Sequence, residues 1–307
     1  MTNRELMAEV AILYYEKNMT QQQIADMLYL SRQTVSKLLN DALENGIIEI
    51  TVHHPKKNCS HLEDKLTETF GFKKAIVASA GNSSDAVRQM ATIEAAIDYI
   101  TPVFEKGNQN LAICWGRTMQ KLISEFPKVH TTGNLVYPLF GATDHENSFF
   151  ASNEMARSMA DKLDATFKYA WFPYLSDNEE DLKLLKKTSY YKRMEELWDN
   201  IDVALLSIGN CEIPKLFQQT FGYVERYDEA VGDLLTHFFT QDGKFLSSQK
   251  NKLRASVKNL KNAKKVVAVT CGSDKVDAIA GALRTKMIDV LITDEYTAEE
   301  ILLKYHK

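Results

Sequence analysis

The chain has 307 residues, of which 45% are hydrophobic and 25% charged, with a formal net charge of −4 at pH 7. That length exceeds the usual reach of one hydrophobic core and predicts one small and one large domain, and the balanced composition excludes a disordered or fibrous chain. No stretch approaches roughly 18 consecutive apolar residues, and the start Met-Thr-Asn-Arg-Glu lacks a basic region followed by an apolar core, so a cytoplasmic protein with no membrane partner is expected. In chain order, the periodicity predicts a helix over Met7–Tyr15, with Val10, Leu13 and Tyr14 facing a small core. Two short amphipathic helices around a tight turn follow between Thr20 and Leu39. Ile24, Ala25 and Leu28 recur at helical spacing, and Ala25 is small enough for a second helix to cross closely. Thr20 with Gln23 matches a capping box, and Ser31 is placed to cap the second helix.

This is the layout of a DNA-reading helix-turn-helix. With Val35, Leu38 and Leu39 turned inward, the second helix presents Arg32, Gln33, Thr34, Ser36, Lys37 and Asn40 outward. All six form hydrogen bonds and none is acidic, as a helix entering the major groove requires. Gln33, Thr34 and Lys37 are expected at base edges, and Arg32, Ser36 and Asn40 at phosphates or flanking positions. At the turn, where glycine is usual, Tyr29 must either take a positive φ at a cost or bend the chain differently. Asn45-Gly46 ends the helix, and the β-branched run Ile47–Val52 suggests a wing. Residues 1–58 carry six basic and seven acidic side chains, so nonspecific attraction to phosphate is weak. Binding to double-stranded DNA then leans on more than one copy of the domain in a symmetric oligomer.

His53-His-Pro-Lys-Lys-Asn58 reads as a linker, which divides the chain into residues 1–55 and 56–307. In the second part, strands are expected at Lys74–Ala78, Leu111–Cys114, Leu135–Phe140, Thr166–Trp171, Val203–Ile208, Val266–Thr270 and Val290–Thr293. Helices are expected at Ser60–Phe70, Asp85–Phe104, Met119–Phe126, Phe149–Leu163, Asp177–Lys187, Tyr190–Trp198, Asp274–Leu283 and Thr297–Tyr305. The alternation predicts an α/β fold with a mostly parallel sheet covered on both faces. Ligands of such sheets collect at the carboxyl ends of strands, where glycine-bearing turns lead into helices. Three turns have that character: Cys114-Trp-Gly116-Arg117-Thr118, Phe140-Gly141-Ala142-Thr143-Asp144, and Thr270-Cys-Gly272-Ser273-Asp-Lys275. Cys59, Cys114, Cys211 and Cys271 never form Cys-x-x-Cys and are expected as reduced, mostly buried thiols. The histidines show no ligand spacing either, so neither a metal site nor a cofactor is expected.

Several motifs recur in order along the chain: Leu13-Tyr-Tyr-Glu16 with Thr20-Gln-Gln-Gln-Ile-Ala25, Ser31-Arg-Gln-Thr-Val-Ser-Lys-Leu-Leu39, and Gly46-Ile-Ile-Glu-Ile50. They continue with Trp115-Gly-Arg-Thr118, Val231-Gly-Asp233, Phe238-Phe-Thr-Gln-Asp-Gly243, Val269–Lys275 and Val290-Leu-Ile-Thr-Asp-Glu295. Over essentially the whole length this resembles the SorC family of bacterial sugar-responsive transcriptional regulators, which includes regulators of deoxyribonucleoside and glycolytic genes. The resemblance implies a Rossmann-like effector domain similar in fold to sugar-phosphate isomerases and glucosamine-phosphate deaminases. It also implies assembly into a homodimer or homotetramer. Carried over position by position, Gly116, Arg117, Thr118, Gly141 to Asp144, Asn153, Asp233 and Lys275 would line a pocket for a phosphorylated sugar. Asp233 would accept from hydroxyls, with a helix N-terminal position before Leu234 as the alternative role, compatible with the first, and Lys275 would neutralise phosphate. The chain departs from the family pattern at Ala142 and Cys271, whose methyl and thiol narrow the pocket. Phe140, which offers no amine, implies non-covalent binding.

Two rival functions are consistent with the same residues. An isomerase or deaminase would need a proton-moving base, for which Asp233, Asp144 or Asp294 are the candidates, but no compact acid-base constellation is evident and such an enzyme needs no helix-turn-helix. A DNA-binding architectural protein with an inert second domain is the other.

Overall fold

The structure, a computed structural model, describes residues 3–48, 58–81, 83–143, 151–211, 226–247 and 251–306. The chain divides into two compact units, Met1–Pro55 and Lys56–Lys307. In the first, α1 (Asn3–Ala11) runs into a π turn, Ile12–Glu16, and is followed by α2 (Gln21–Leu28) and α3 (Arg32–Glu44). Its core is Met7, Val10, Ile24, Ala25, Val35, Leu38, Leu39 and Ala42, with Leu13, Tyr14 and Leu28 partly buried against it. These positions recur every three or four residues, so each helix turns one stripe inward. The capping box at Thr20 and Gln23 is present in both directions, and Ser31 Oγ accepts from Thr34 N–H at 3.0 Å. Tyr29 takes the left-handed conformation, φ 56 and ψ 40, and its side chain is 96% exposed. The turn thus keeps its shape at the cost of a backbone strain that no burial offsets. Of the expected wing, Ile47 and Ile48 form no strand, and residues 49–52 lie outside the described residues, as does the linker to residue 57.

The second unit holds helices α4 (Ser60–Phe70), α5 (Asp85–Glu105), α6 (Arg117–Glu125), α7 (Ser152–Leu163), α8 (Glu179–Lys187), α9 (Ser189–Asp199), α10 (Val257–Asn262), α11 (Val276–Arg284) and α12 (Glu295–Tyr305). Its main sheet has strands β1 (Lys74–Ala78), β2 (Asn110–Ile113), β3 (Leu135–Pro138), β4 (Thr166–Phe167), β5 (Val203–Leu206), β9 (Lys265–Val269) and β10 (Val290–Asp294). All seven pair in parallel, in the order β1-β10-β9-β5-β2-β3-β4. Every residue of β5 and β10 is buried, as strands covered on both faces must be. From β2 the chain moves outward to β3 and β4, then returns to β5 on the other side. The crevice at the carboxyl ends of β2 and β5 is therefore a topological switch point, where α/β sheets bind ligands.

A second sheet, absent from the sequence reading, is antiparallel: β6 (Gly209–Asn210), β7 (Ala230–Leu234) and β8 (His237–Thr240). Its hairpin turn puts Leu235 and Thr236 at φ 51 and 58, a primed turn without the glycine or asparagine that usually signals one. Asp233 Oδ2 accepts from Thr236 N–H at 2.7 Å and braces this turn. Asp233 is thus a strand residue at a hairpin, which corrects the alternative that it begins a helix. Other differences are local. The strand expected over Thr166–Trp171 ends at Phe167, because β4 is the sheet edge and Trp171 beyond it is 65% exposed. Lys275 ends a 3-10 turn, Ser273–Lys275, before α11 begins. The helix expected from Phe149 starts at Ser152, residues 149 and 150 lying outside the described residues, and the short α10 was not expected.

Candidate functional site

In the first unit, the buried stripe of α3 (Val35, Leu38, Leu39, Ala42) fixes what its opposite face must carry. At 100° per residue, Gln33, Ser36, Lys37 and Asn40 fall opposite that stripe. Arg32, Gln33, Thr34, Lys37 and Asn40 are exposed and Ser36 is half-buried. The Thr34 hydroxyl lies 2.7 Å from Ser31 Oγ, so it is tied into the helix cap. Arg32 stands at the helix start. The face is polar; over the first nine residues of α3 its charges, Arg32 and Lys37, are both positive, and the exposed Glu44 follows on the same face one turn beyond Asn40.

In the second unit, the switch-point crevice begins at Cys114. Its N–H donates to Leu205 O at 3.1 Å, and its sulfur accepts from Ser207 N–H at 3.2 Å. Burial pushes the thiol up to about 12, opposed by the Ser207 N–H, so it stays protonated and is no nucleophile. Trp115 stacks flat on Phe140 at 3.8 Å, and Tyr174 stands edge-on to both, with centroids at 5.0 and 5.7 Å. Gly116 then begins α6 at φ 126 and ψ 161 and offers no side-chain cap. An added Cβ there would meet nothing within 4 Å, so the glycine is required by its backbone angles and faces open space. The first N–H groups of α6 have no carbonyl partner within the helix, which is the condition for receiving an anion. Arg117 is exposed and Thr118 buried.

Asp233 reaches this region from the small sheet, opposite Gly209, where a side chain's Cβ would fall 2.0 Å from Oδ1. Glycine at 209 is thus what makes room for the carboxylate. Burial raises the Asp233 pKa, while the Thr236 N–H and the charges of Arg254, Lys252 and Lys275 oppose the rise. Lys275 is half-buried, and its pKa is lowered by burial against the pull of Asp274, Cys271 and Asp233. Lys252 and Arg254 are 7% and 9% exposed. Burial, reinforced by Arg254, brings the Lys252 ammonium down to about 7. His237 Nε2 lies 3.0 Å from both Arg254 Nη1 and Ala255 O and can serve one at a time. Burial and the Arg254 charge bring its pKa down to about 3, so the ring is neutral.

The sequence-derived positions separate on this geometry. Lys275, Asp233 and the Cys114–Gly116 turn come together. The second turn is closed to ligands at its backbone: Gly141 N–H donates to Leu253 O at 2.9 Å and Ala142 N–H to Phe172 O at 2.8 Å. Ala142 and Thr143 are half-buried, and Asp144 lies outside the described residues. Both polar atoms of the Asn153 amide are held by the Ala170 backbone, at 2.9 and 3.2 Å. Gly272 N–H is spent on Thr297 Oγ1 at 2.9 Å, and Ser273 is exposed. Asp294, a candidate base, is fully buried, caps α12 through Thr297 N–H at 3.0 Å and lies 3.7 Å from Arg88 Nε. Of the cysteines, Cys59 and Cys114 are buried while Cys211 and Cys271 are half-buried, and all are free thiols. The sequence reading missed Lys252, Arg254, His237 and Tyr174. Its one available signal was the pair of cations spaced by two within the apolar run Lys252-Leu-Arg254-Ala255.

Residues 54–303 match the family described as "Putative sugar-binding domain", and residues 5–45 match sigma-70 region 4. The chain is 28% identical over 307 residues to the sorbitol operon regulator of Klebsiella pneumoniae, across 97% of each chain. It is 29% identical over 313 residues to the deoxyribonucleoside regulator of Bacillus subtilis, again across 97% of each. The crystal structure of full-length SorC from Klebsiella pneumoniae matches with a TM-score of 0.74 at 27% identity, covering 98% of this chain and 99% of that one. A DeoR family transcriptional regulator from Listeria monocytogenes matches with a TM-score of 0.70 at 28% identity, covering 79% and 99%. These relatives are regulators rather than enzymes, and no described helix is long and apolar enough to cross a membrane. A polar helix-turn-helix, a doubly covered parallel sheet with a polar switch point, and matches spanning both identify the chain as a member of the SorC family of bacterial sugar-responsive transcriptional regulators.

Proposed function

We propose that the effector is a phosphorylated sugar, bound non-covalently at the carboxyl ends of β2, β5 and β9, and that the protein works in the cytoplasm as a homodimer or homotetramer. In this reading Met1–Pro55 grips the operator and Lys56–Lys307 holds the effector and the subunit contacts. Gln33 and Lys37 read base edges; Arg32, Ser36 and Asn40 hold phosphates; Thr34, tied to Ser31, contributes at the helix start. A near-neutral first unit favours several copies acting together on a palindromic or repeated site.

The observation that carries the reading is the meeting of three features: the uncapped start of α6 at Gly116, the Lys275 ammonium, and the half-buried Asp233 carboxylate. The first two suit a phosphate and the third a sugar hydroxyl. Effector affinity that differs between two subunit packings would reset the spacing of paired recognition helices, with a coupling of about 1–3 kcal/mol. The test is operator binding by fluorescence anisotropy, with sugar phosphates titrated against wild type and Lys275→Ala. Weakened response with unchanged effector-free operator affinity is expected. An unchanged response would remove Lys275 from the site.

A further inference from the structure

The segment 251–255 is pinned between two others. Leu253 N–H donates to Tyr174 O at 2.7 Å, Gly141 N–H to Leu253 O at 2.9 Å, and Ala255 N–H to Leu139 O at 2.9 Å. Residues two apart in such extended chain point the same way, and both Lys252 and Arg254 are electrostatic neighbours of Asp233. Lys252 Nζ and Arg254 Nε are buried without any hydrogen-bond partner. The rest of the guanidinium is fixed, because Nη1 donates to Leu235 O at 3.1 Å. Two cations thus stand near one half-buried carboxylate, and among the described residues no ion pair joins either of them to it.

The Phe238 ring, its centroid 5.8 Å from Lys252 Nζ, is a weak substitute for a hydrogen bond; a buried ammonium that donates to nothing is costly, and a ligand can supply the acceptor that the fold withholds. Building on the sugar-phosphate reading, we infer that Lys252 and Arg254 form a second anion subsite, so that the effector carries a carboxylate as well as a phosphate. Charge decides the class. An anion bound here keeps Lys252 protonated, and with Asp233 ionised and His237 neutral the cluster of Lys252, Arg254 and Asp233 then sums to one positive charge, so a monoanionic carboxylate balances the site while a phosphate dianion overfills it. Lys275 is also an electrostatic neighbour of Asp233, so the phosphate position proposed above and this second anion position both border that carboxylate. The effector is then a phosphorylated sugar acid, its hydroxyls at Asp233.

The test is isothermal titration of the full-length protein with matched pairs of phosphorylated aldonic acid and aldose phosphate, 6-phosphogluconate and glucose 6-phosphate among them. Gluconate and fructose 1,6-bisphosphate are added as further arms. A charge-assisted contact predicts that the acid of at least one pair binds about tenfold more tightly, and that Lys252→Met reduces this preference to about twofold or less. Lys252→Met must keep the wild-type tryptophan emission, and Lys252→Gln serves as the second variant. No acid preference in any pair, an equal preference in both variants, or no binding at all overturns the inference. Lys252-dependent preference for the bisphosphate overturns the carboxylate assignment. Gluconate bound as tightly as 6-phosphogluconate, with Lys252 dependence, upholds this subsite and overturns the phosphate reading instead.

Discussion

Replacing Lys252 with methionine should stabilise the ligand-free second unit, and the gain should depend on pH. The unfolded chain holds the lysine proton with a pKa of 10.5 and the folded chain with one of about 7. Between those values the unfolded state binds more protons, so wild-type stability rises as pH rises through this window. At about 1.36 kcal/mol per unit, the lysine costs the folded state about 4 kcal/mol at pH 7 and about 1 kcal/mol at pH 10. Methionine has a similar length and no charge, so its packing contribution is the same at both pH values and cancels in the comparison. The three tryptophans, Trp115, Trp171 and Trp198, all lie in the second unit, so urea unfolding followed by tryptophan emission reports this unit alone. The stability gap between variant and wild type should shrink by about 3 kcal/mol from pH 7 to pH 10. A gap that stays constant across that range would show that Lys252 titrates normally and that the buried unpaired cation is not there.

Other outcomes follow from the same geometry. Tyr29→Gly should raise the melting temperature of the first unit, gaining about 1 kcal/mol by relieving the left-handed strain; far-UV circular dichroism measures it, and a loss of stability would mean the exposed tyrosine ring contributes packing. Gln33→Ala should relax preference at one operator position by about 1–3 kcal/mol, whereas Lys37→Ala, if it touches phosphate rather than a base edge, weakens all sequences alike and lowers the salt slope by about 1. Binding measured on an operator library at two salt concentrations separates these cases. His237, neutral down to a pKa of about 3 instead of 6.5, binds fewer protons folded than unfolded across that interval. The second unit should therefore lose stability as pH falls below 6.5, by up to about 1.36 kcal/mol per pH unit from this residue. His237→Gln should flatten the limb, and an unchanged acid limb would mean that other groups set it.

Much of the molecule is legible before folding, and the reason is the range of the signals. Caps and apolar spacing act within a turn or two of helix, so Thr20-Gln23, Ser31 and the Val35-Leu38-Leu39 stripe define the helix-turn-helix locally. The β-branched runs mark all the strands of the main sheet in the same way, within a few residues at their ends. The antiparallel sheet carries no such signal, because Leu235-Thr236 makes its turn without glycine and Asp233 replaces the missing preference with a side-chain bond to Thr236 N–H. Asn153 and the Gly141 turn looked equal to Lys275 as ligand positions, and only the partners found for them across the fold, Ala170 and Leu253, distinguish them.

Sequence by itself determined that this protein reads DNA with its amino-terminal helices and carries an α/β effector domain, since periodicity, capping and motif order are properties of short stretches. Tertiary structure alone decided which polar groups of the second unit are buried together. Lys252 and Arg254 look like ordinary surface cations until segment 251–255 pairs with Leu139–Gly141 and Tyr174–Ser176, distant in the chain, and that pairing buries them beside Asp233. Burial and the charges that surround a group are non-local quantities, and they set the chemistry of this cluster.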